Sequence, residues 1–365
     1  MMIRSVRTYS SSISNAAVFP SGSTVFSLIQ PTGKIHLGNY LGALSNWRDI
    51  SNDERNSESR FIFGTADLHA LTSVTDPAKL KNSRREAIAS LIAAGIDPER
   101  SIIYHQSSIA EHSQLSWILT CLTSMGALNR MTQWKSKAKV EETDSIFGDE
   151  ILGKTKAGVL CYPVLQAADI LLYKSTHVPV GDDQAQHLEL CRNIASIFNS
   201  TYKSNFFPMP KSLFTANKKI MSLRSSEKKM SKSDVDQNGC LYITESPDQI
   251  AKKLRKATTD SIQGRLYFDP EERPGVSNLI NIVSGLTRKS VEDTVKDLEY
   301  MRSHKQLKDL VTDLIVEEFK DQRLVYEELM KDVSYIDQIA DRGAEKAKKI
   351  ASVNMRAVEK LIGLD

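Results

Sequence analysis

Short apolar runs alternate with helical patterns through the first third of this sequence, and this order restricts the fold more than any other feature. Strand-like runs occupy residues 24–30, 61–64 and 101–105. Each is followed by a helical pattern: the first ends at about residue 50, the second covers 77–94 and the third covers 111–125. Strands that alternate with helices predict a parallel sheet with helices on both faces, a Rossmann-like α/β layer. Ligands of such sheets bind at the carboxyl ends of the strands.

The chain has 365 residues, which favours two or three domains over one. We expect a leader over residues 1–23, a Rossmann-like catalytic domain over 24–235 and a C-terminal helical domain over 236–365. Ser246-Pro247-Asp248 predicts a helix start, because serine caps helices and proline suits the first turn. Apolar residues at helical spacing continue to the end, and the last helix could pack back on the catalytic domain.

The leader has a composition of its own. Residues 1–23 contain seven serines, and Arg4 and Arg7 are not accompanied by any acidic residue before Asp49. An arginine- and serine-rich segment without acids is typical of a mitochondrial transit peptide. A plain disordered tail is the alternative interpretation.

Composition excludes few functions. The net charge of +3 is small, so any RNA contact must come from a local basic face. One such cluster contains Lys252, Lys253, Arg255 and Lys256, which would meet RNA phosphates or form a solvated helix face. The four cysteines form no CxxC pair, which argues against a structural metal and a disulfide framework. No apolar run approaches about 18 residues, so we expect no membrane span.

His36-Leu37-Gly38-Asn39 directly follows the first predicted strand and opens a helix. A helix N-terminus offers free N–H groups to phosphate, and His36 adds a donor there. Gly38 and Gly42 share one helix face, which without side chains can admit a flat adenine ring. For His36 taken alone, a surface or capping histidine is the alternative.

A second polar segment, Lys229-Met230-Ser231-Lys232-Ser233, reads as a loop between ordered segments. Lysines on flexible stems in a mobile loop can close over phosphates when these are bound. A solvated lysine run is the alternative, and Lys228 is assigned to it.

Together and in this order, the two segments resemble the "HIGH" and "KMSKS" signatures of class I aminoacyl-tRNA synthetases, which join an amino acid to ATP and then to tRNA. Asn39 departs from the last position of the first signature, but its amide can still donate to phosphate. The resemblance implies that the catalytic residues are His36, Asn39, Lys229, Ser231 and Lys232. It implies that ATP is bound by Gln30, Pro31, Thr32, Gly38, Asn39, Gly181, Asp182, Asp183, Ile220, Lys229, Met230, Ser231, Lys232 and Ser233.

Further segments resemble the tryptophanyl branch of this class, in its bacterial type. They are Val180-Gly181-Asp182-Asp183-Gln184 with His187, Arg130-Met131-Thr132-Gln133, Ala167-Ala168-Asp169-Ile170-Leu171-Leu172-Tyr173, and Pro274-Gly275-Val276-Ser277-Asn278-Leu279. This resemblance runs from about Val25 to the C-terminus. It implies that Asp169 accepts the indole N–H, that Phe26 lines the indole pocket, and that Tyr162, Gln184 and Gln30 bind the substrate ammonium. His69 is either near this pocket or a core histidine, and Gln166 stands where some relatives have methionine.

The position of Asp169 also suggests a binding role on physical grounds, without the resemblance. Its predicted helix is otherwise apolar, and a carboxylate is costly to bury without partners. A site built around such an acceptor rejects a ring that lacks the N–H donor better than a site built on size. A surface aspartate is the alternative.

The resemblance implies L-tryptophan, ATP and tRNA(Trp) as partners, a homodimer, and work in the mitochondrial matrix. Magnesium would arrive with ATP, with no structural metal held by the protein and no membrane contact. Three other functions stay open at this point: a tyrosine enzyme, a catalytically idle RNA-binding or splicing factor, and a simpler nucleotidyltransferase.

Overall fold

The computed structural model describes residues 16–73, 76–138, 148, 151, 153, 155–181, 184–214, 219–232 and 236–365. Residues 1–15 of the predicted leader lie outside the described residues. The polar, turn-rich segment 136–156 predicts a loop, and most of it also lies outside the described residues. So do Asp182, Asp183 and Ser233, for which nucleotide contacts are predicted. In that predicted loop, residues 136–138 are instead the end of a helix.

Five parallel strands form one sheet in the described chain, in the order β3-β2-β1-β4-β5. They are β1 (Thr24–Ile29), β2 (Arg60–Thr65), β3 (Ser101–His105), β4 (His177–Val180) and β5 (Lys211–Phe214). The predicted Rossmann-like parallel sheet and its first three strands are therefore confirmed. The sequence pattern did not predict β4 and β5, which are four residues long.

Helices connect and cover the strands. In chain order they are α1 (Leu37–Asn39), α2 (Ser45–Asn52), α3 (Asp67–Ala70), α4 (Pro77–Ala93), α5 (Glu111–Cys121), α6 (Met125–Asn129), α7 (Thr132–Ala138), α8 (Ala157–Leu172), α9 (Ala185–Thr201), α10 (Pro247–Arg255), α11 (Pro274–Thr287), α12 (Val291–Asp297), α13 (His304–Lys331) and α14 (Val333–Ile362). A π-helical turn, Tyr40–Leu44, joins α1 to α2. The region after residue 236 is helical, as predicted.

Capping residues explain where several helices begin. Ser246 and Gln249 form a reciprocal capping box at α10, with Pro247 at the first helical position. The predicted helix over 111–125 is wrong at its end, because α5 stops at Cys121. Ser124 then caps α6 by accepting from the backbone N–H of Ala127 at 3.2 Å, which starts a new helix.

Two apolar cores lie on opposite faces of the sheet in the described chain. One contains Val25 of β1 with Leu41 and Phe319, and the other contains Phe26 of β1 with Ala347 of α14. Successive strand residues point to opposite faces, which is why neighbours in β1 belong to different cores. The C-terminal helices thus contribute to both cores, and the division at residues 235/236 stays a prediction.

The last helix runs close to β3. A Cβ atom added to Gly343 of α14 would lie 1.8 Å from the backbone carbonyl oxygen of Ile103. Only glycine permits this approach, because any side chain would occupy the space of the strand backbone. The carboxyl ends of the strands remain at one edge of the sheet, where the site lies.

Candidate active site

The carboxyl ends of four neighbouring strands carry several of the residues predicted for the site and one, Gln106, that was not predicted. Gln30-Pro31-Thr32 follow β1, His69 is in the helix after β2, Gln106 follows β3 and Gly181 follows β4. Parallel strands end at a common edge, so residues distant in sequence meet there.

His36 caps the helix that follows β1. It is 6 % exposed, and its Nδ1 accepts from the backbone N–H of Asn39 at 3.3 Å. Burial, followed by the charges of Lys232 and Lys229, lowers the pKa of His36 to about 4. The ring is therefore neutral at pH 7, and because Nδ1 accepts, Nε2 carries the proton as a donor. The capping and the catalytic interpretations of His36 are compatible, because each uses a different ring nitrogen.

Lys232 reaches the turn that follows β1. Its Nζ donates to Thr32 Oγ1 at 3.2 Å and to the backbone carbonyl of Gly33 at 3.0 Å. Burial lowers the pKa of Lys232 to about 8. Two segments that are predicted to act together therefore meet, and Lys232 is not part of a solvated lysine run. Lys229 is exposed, and Ser231 is half-buried.

The base of the lysine loop is anchored on both sides. Met230 donates its backbone N–H to Ile220 at 2.9 Å, and Met221 pairs with Lys229 in an antiparallel bridge. The side chain of Asn278 in α11 bonds both the N–H and the carbonyl of Met221, at 2.9 and 3.0 Å. The sequence assigned no role to Asn278, which ties the loop to the C-terminal helices.

Ile220 is buried beside the helix that His36 caps, and Met230, which bonds to Ile220, is buried as well. A Cβ added to Gly38 would lie 3.7 Å from Cβ of Ile220 and 3.1 Å from the His36 ring, whereas one added to Gly42 would meet nothing within 4 Å. The glycine face is therefore crowded at Gly38 and open at Gly42.

Asp169 is buried in α8 and surrounded by nitrogen atoms. Gln106 Nε2 donates to both carboxylate oxygens at 2.7 and 2.8 Å, and His69 Nε2 lies 2.9 Å from Oδ2. His112 Nδ1 lies 2.6 Å from Oδ1. Burial would raise the pKa of Asp169, but its close interactions with His112, and then with His69, lower it to about 2. The surface-aspartate interpretation is wrong, because Asp169 is 2 % exposed.

Sequence reasoning missed Gln106 and His112 entirely. They lie on different elements from Asp169 and are separated from it by 63 and 57 positions (169 − 106 and 169 − 112), so no local pattern connects them. His69, for which a pocket or a core position was left open, contacts Asp169 and packs edge-on to Tyr162 at 6.1 Å. Phe26 is buried and stacks on Tyr173 at 5.5 Å between ring centroids.

A second polar group surrounds Tyr162. Its hydroxyl donates to Gln133 Oε1 at 2.9 Å and lies 3.4 Å from His187 Nε2. His187 Nδ1 lies 2.8 Å from Gln166 Oε1 and 3.2 Å from Gln184 Oε1. The structure thus brings Tyr162 and Gln184 together through His187, and Gln166 joins their network rather than forming an apolar wall.

The remaining predicted residues have backbone roles in the structure. Gln30 accepts from the backbone N–H of Thr32 at 2.9 Å, which makes the tight turn after β1 that also contains buried Pro31. Gly181 accepts from the backbone N–H of Gln184 at 2.9 Å and so helps to begin α9. Both carbonyls shape the edge at which the other site residues lie.

Outside this site, the basic cluster is partly paired with other side chains and partly exposed. Lys253 of the basic cluster pairs with Glu245 and donates to the carbonyl of Cys240 at 2.6 Å, while Lys252, Arg255 and Lys256 are exposed. Within the described ranges, no group of three or more histidine, cysteine or acidic side chains could hold a metal ion. No helix in the described part of the chain is both long and apolar enough to cross a bilayer.

A parallel sheet with a histidine-capped helix after β1, facing a lysine loop, defines a class I aminoacyl-tRNA synthetase. Residues 21–320 match the family described as tRNA synthetases class I (W and Y). The mitochondrial tryptophan–tRNA ligase of Saccharomyces cerevisiae is 49 % identical over 353 residues, which cover 96 % of this chain and 93 % of the relative. This chain belongs to the class I tRNA synthetases of the W and Y family.

Solved structures agree with this assignment. The tryptophanyl-tRNA synthetase of Mycoplasma pneumoniae superposes with a TM-score of 0.81 at 30 % identity, covering 94 % of this chain and 98 % of that chain. That of Campylobacter jejuni, complexed with ADP and tryptophan, gives a TM-score of 0.74 at 31 % identity, covering 93 % of this chain and all of that chain.

Proposed function

We propose that this enzyme joins L-tryptophan to tRNA(Trp), using ATP and a tryptophanyl-adenylate intermediate, for translation in the mitochondrial matrix. The observation that carries the proposal is the near-full-length identity with a relative named as a mitochondrial tryptophan–tRNA ligase. The arginine- and serine-rich composition of residues 1–23 supports the location.

The first half-reaction needs charge stabilisation rather than a general base. The carboxylate of tryptophan is already ionised at pH 7, and one of its oxygens attacks the α-phosphorus of ATP. The bond from that phosphorus to the pyrophosphate oxygen breaks, and pyrophosphate leaves with its electrons. A hydroxyl of the terminal tRNA ribose then attacks the carbonyl carbon of the adenylate, AMP leaves, and the hydroxyl proton is released to a phosphate oxygen of AMP or to water. Negative charge on the phosphates is what the site must stabilise.

His36 and the lysine loop supply that stabilisation. His36 donates from Nε2 without carrying a positive charge, and Lys232 and Lys229 provide cations from the loop. Asn39 and Ser231 add polar donors, and the N-terminus of α1 offers backbone N–H groups. Lys232 would exchange the Thr32 and Gly33 oxygens for phosphate oxygens, because a phosphate is the stronger partner for an ammonium group. Magnesium carried in by ATP would neutralise part of the phosphate charge.

The nucleotide would lie along the edge between the two signatures. The adenine would rest on the open face at Gly42 and near Gly38, against Ile220 and Met230. The ribose and phosphates would be held by the other residues of the resemblance: Gln30, Pro31, Thr32, Gly181, Asp182, Asp183 and Ser233.

Asp169 would read the indole ring through its N–H. The carboxylate is ionised and buried, so a matching donor is favoured and a ring without one leaves it poorly paired. Phe26 and His69 would border the ring, and Tyr162, Gln184 and Gln30 would hold the substrate ammonium. These roles favour tryptophan over phenylalanine, and the identity with tryptophan enzymes favours it over tyrosine.

Residues 236–365 would read the anticodon, and two copies would assemble so that one tRNA spans both. Single-stranded bases are read by stacking and edge hydrogen bonds, which helical domains of this size can supply. Exposed Lys252, Arg255 and Lys256 are candidates for contacts with RNA phosphates.

ATP–pyrophosphate exchange with each of the twenty amino acids tests the proposal. Tryptophan should support exchange and tyrosine should not, and charging of a tRNA(Trp) transcript should follow. Exchange with tyrosine alone would mean that tyrosine, not tryptophan, is the substrate. If the folded enzyme supports exchange with no amino acid, a catalytically idle RNA-binding protein is favoured instead. A reporter fused to residues 1–23 tests the location, and sedimentation tests the dimer.

A further inference from the structure

The most deeply buried histidine in contact with Asp169 is His112, a residue with no predicted role. His112 is fully buried in α5, whereas the His69 side chain on the same carboxylate is 11 % exposed. The Nδ1 of His112 lies 2.6 Å from Asp169 Oδ1. An ionised carboxylate only accepts hydrogen bonds, so this close approach is favourable when His112 carries a proton on Nδ1.

The other nitrogen of His112 is held by two tyrosines. Nε2 lies 2.8 Å from the hydroxyl of Tyr104 and 3.2 Å from that of Tyr173. Burial raises the pKa of both phenols above their ordinary value, so the hydroxyls keep their protons and can donate to Nε2. The Tyr104 ring also stacks on the imidazole, with 5.9 Å between centroids and 22° between planes. His112 is thus held in orientation from the side opposite Asp169.

Four contacts with nitrogen atoms restrict the orientation of the Asp169 carboxylate. Gln106 contacts both oxygens, His112 contacts Oδ1 and His69 contacts Oδ2. A carboxylate offers about four acceptor positions, so an incoming N–H must take or share one of them. The more exposed His69 is the contact that can yield, whereas His112 cannot move without breaking its tyrosine bonds.

We propose that His112 is a specificity-determining positioning residue, which orients Asp169 so that its carboxylate distinguishes an indole N–H from a ring without a donor. The inference rests on the proposed function, because it names a further residue of the same amino acid pocket. His112 does not touch the substrate and acts through Asp169, as a second residue orients a catalytic one in other sites.

Asparagine and glutamine substitutions distinguish the roles of the two ring nitrogens of His112. In His112→Asn the amide nitrogen replaces Nδ1 and can still donate to Asp169, whereas in His112→Gln it falls near Nε2. His112→Leu removes both. Tyr104→Phe removes the main hydrogen bond to Nε2. His177→Gln is the matched control, because His177 begins β4 at the opposite edge of the sheet.

The readout is the ratio of kcat/KM for tryptophan to that for phenylalanine in ATP–pyrophosphate exchange, with KM for ATP measured alongside. Loss of a hydrogen bond to a charged group should lower this ratio about 10- to 100-fold in the Gln and Leu variants. Tyr104→Phe should lower it about 2- to 10-fold, as expected for a neutral hydrogen bond. His112→Asn and the His177 control should stay within about threefold of wild type, and KM for ATP should not change.

A merely structural role would reduce activity with both amino acids equally and leave the ratio unchanged, which would overturn the inference. Equal losses in the Asn and Gln variants would overturn it too, since only one of them keeps the donor. If His112→Leu does not fold, the inference is tested by comparing His112→Asn with His112→Gln and by Tyr104→Phe. Absence of tryptophan-dependent exchange in the wild-type enzyme would instead refute the proposed function, and the inference with it.

Discussion

Lys232 donates its ammonium group to the backbone carbonyl of Gly33 at 3.0 Å, which links the lysine loop to the turn after β1. The two segments are 199 positions apart in sequence (232 − 33). The contact holds the cation at the edge where the triphosphate would bind, and burial keeps its pKa low until an anion arrives. Lys232 is therefore the residue on which activation of the amino acid should depend most.

Lys232→Ala should slow adenylate formation strongly. Loss of one well-placed electrostatic donor costs about 2.7–4 kcal/mol of transition-state stabilisation, or roughly 10²- to 10³-fold in rate. Tryptophan binding should be nearly unchanged, because Asp169 and Tyr162 lie in other networks. Pyrophosphate exchange and calorimetric binding of tryptophan measure the two effects. Lys228→Ala, an exposed neighbour in the same loop, is the control and should behave as wild type. An unchanged exchange rate in Lys232→Ala would contradict the role.

The same lysine predicts a pH dependence. Burial lowers the pKa of Lys232 to about 8, so the ammonium is charged below this pH and becomes neutral above it. In the free enzyme, kcat/KM for ATP should therefore fall as the pH rises through about 8. Lys232→Arg keeps its charge throughout, so any activity it retains should not show this decline. Parallel declines in both enzymes would assign the pH effect to another group.

The two signatures and the first three strands were predictable because each is carried by neighbouring residues. The apolar run at Phe61 and the glycine turn before His36 are patterns of neighbouring residues. Such patterns can be recognised in the sequence because they do not depend on contacts between distant segments. β4 was not predicted, because Pro179 lies within its four residues and proline lacks the N–H that a central strand uses. The strand forms nevertheless, and the carbonyl of Pro179 accepts from the hydroxyl of Ser27 at 3.0 Å.

The burial of Asp169 was predictable, but the side chains around it were not. Asp169 is conspicuous in sequence because its helix is otherwise apolar. Gln106 and His112 are ordinary polar residues in their own segments and acquire a role only when β3 and α5 are placed beside α8. The same holds for Asn278, whose two bonds to Met221 depend on the packing of α11. Networks between distant elements are consequences of the fold, so their members leave no pattern in the chain.

Asp169→Ala should remove most of the selectivity for tryptophan. A hydrogen bond to a charged group is worth about 1.5–3 kcal/mol, so kcat/KM for tryptophan should fall roughly 10- to 150-fold while that for phenylalanine changes little. The donors of His69, Gln106 and His112 would lose their shared acceptor, so stability should fall by about 1–3 kcal/mol. Exchange kinetics with both amino acids and urea unfolding measure these effects.

Asp337→Ala is the control for that change. Asp337 pairs with Arg85 in an ion pair whose side chains are 40 % and 25 % exposed, and solvent screens such pairs. Selectivity should be unchanged in this variant and stability nearly so. If Asp169→Ala still discriminated against phenylalanine as well as the control does, the indole would be recognised by shape alone.

Gly343→Ala should loosen the contact between α14 and the sheet. The new Cβ would lie 1.8 Å from the carbonyl oxygen of Ile103, so the helix has to move away from β3 and lose apolar contacts. Overpacking of this kind costs about 1–3 kcal/mol or more, which urea unfolding would detect. Gly158→Ala is the control, because a Cβ on Gly158 of α8 meets nothing within 4 Å and should leave stability equal or raise it slightly. Faster hydrogen exchange confined to α14 would show that this helix detaches first. Equal stability of the two variants would mean that the packing of the last helix does not depend on its close approach to β3.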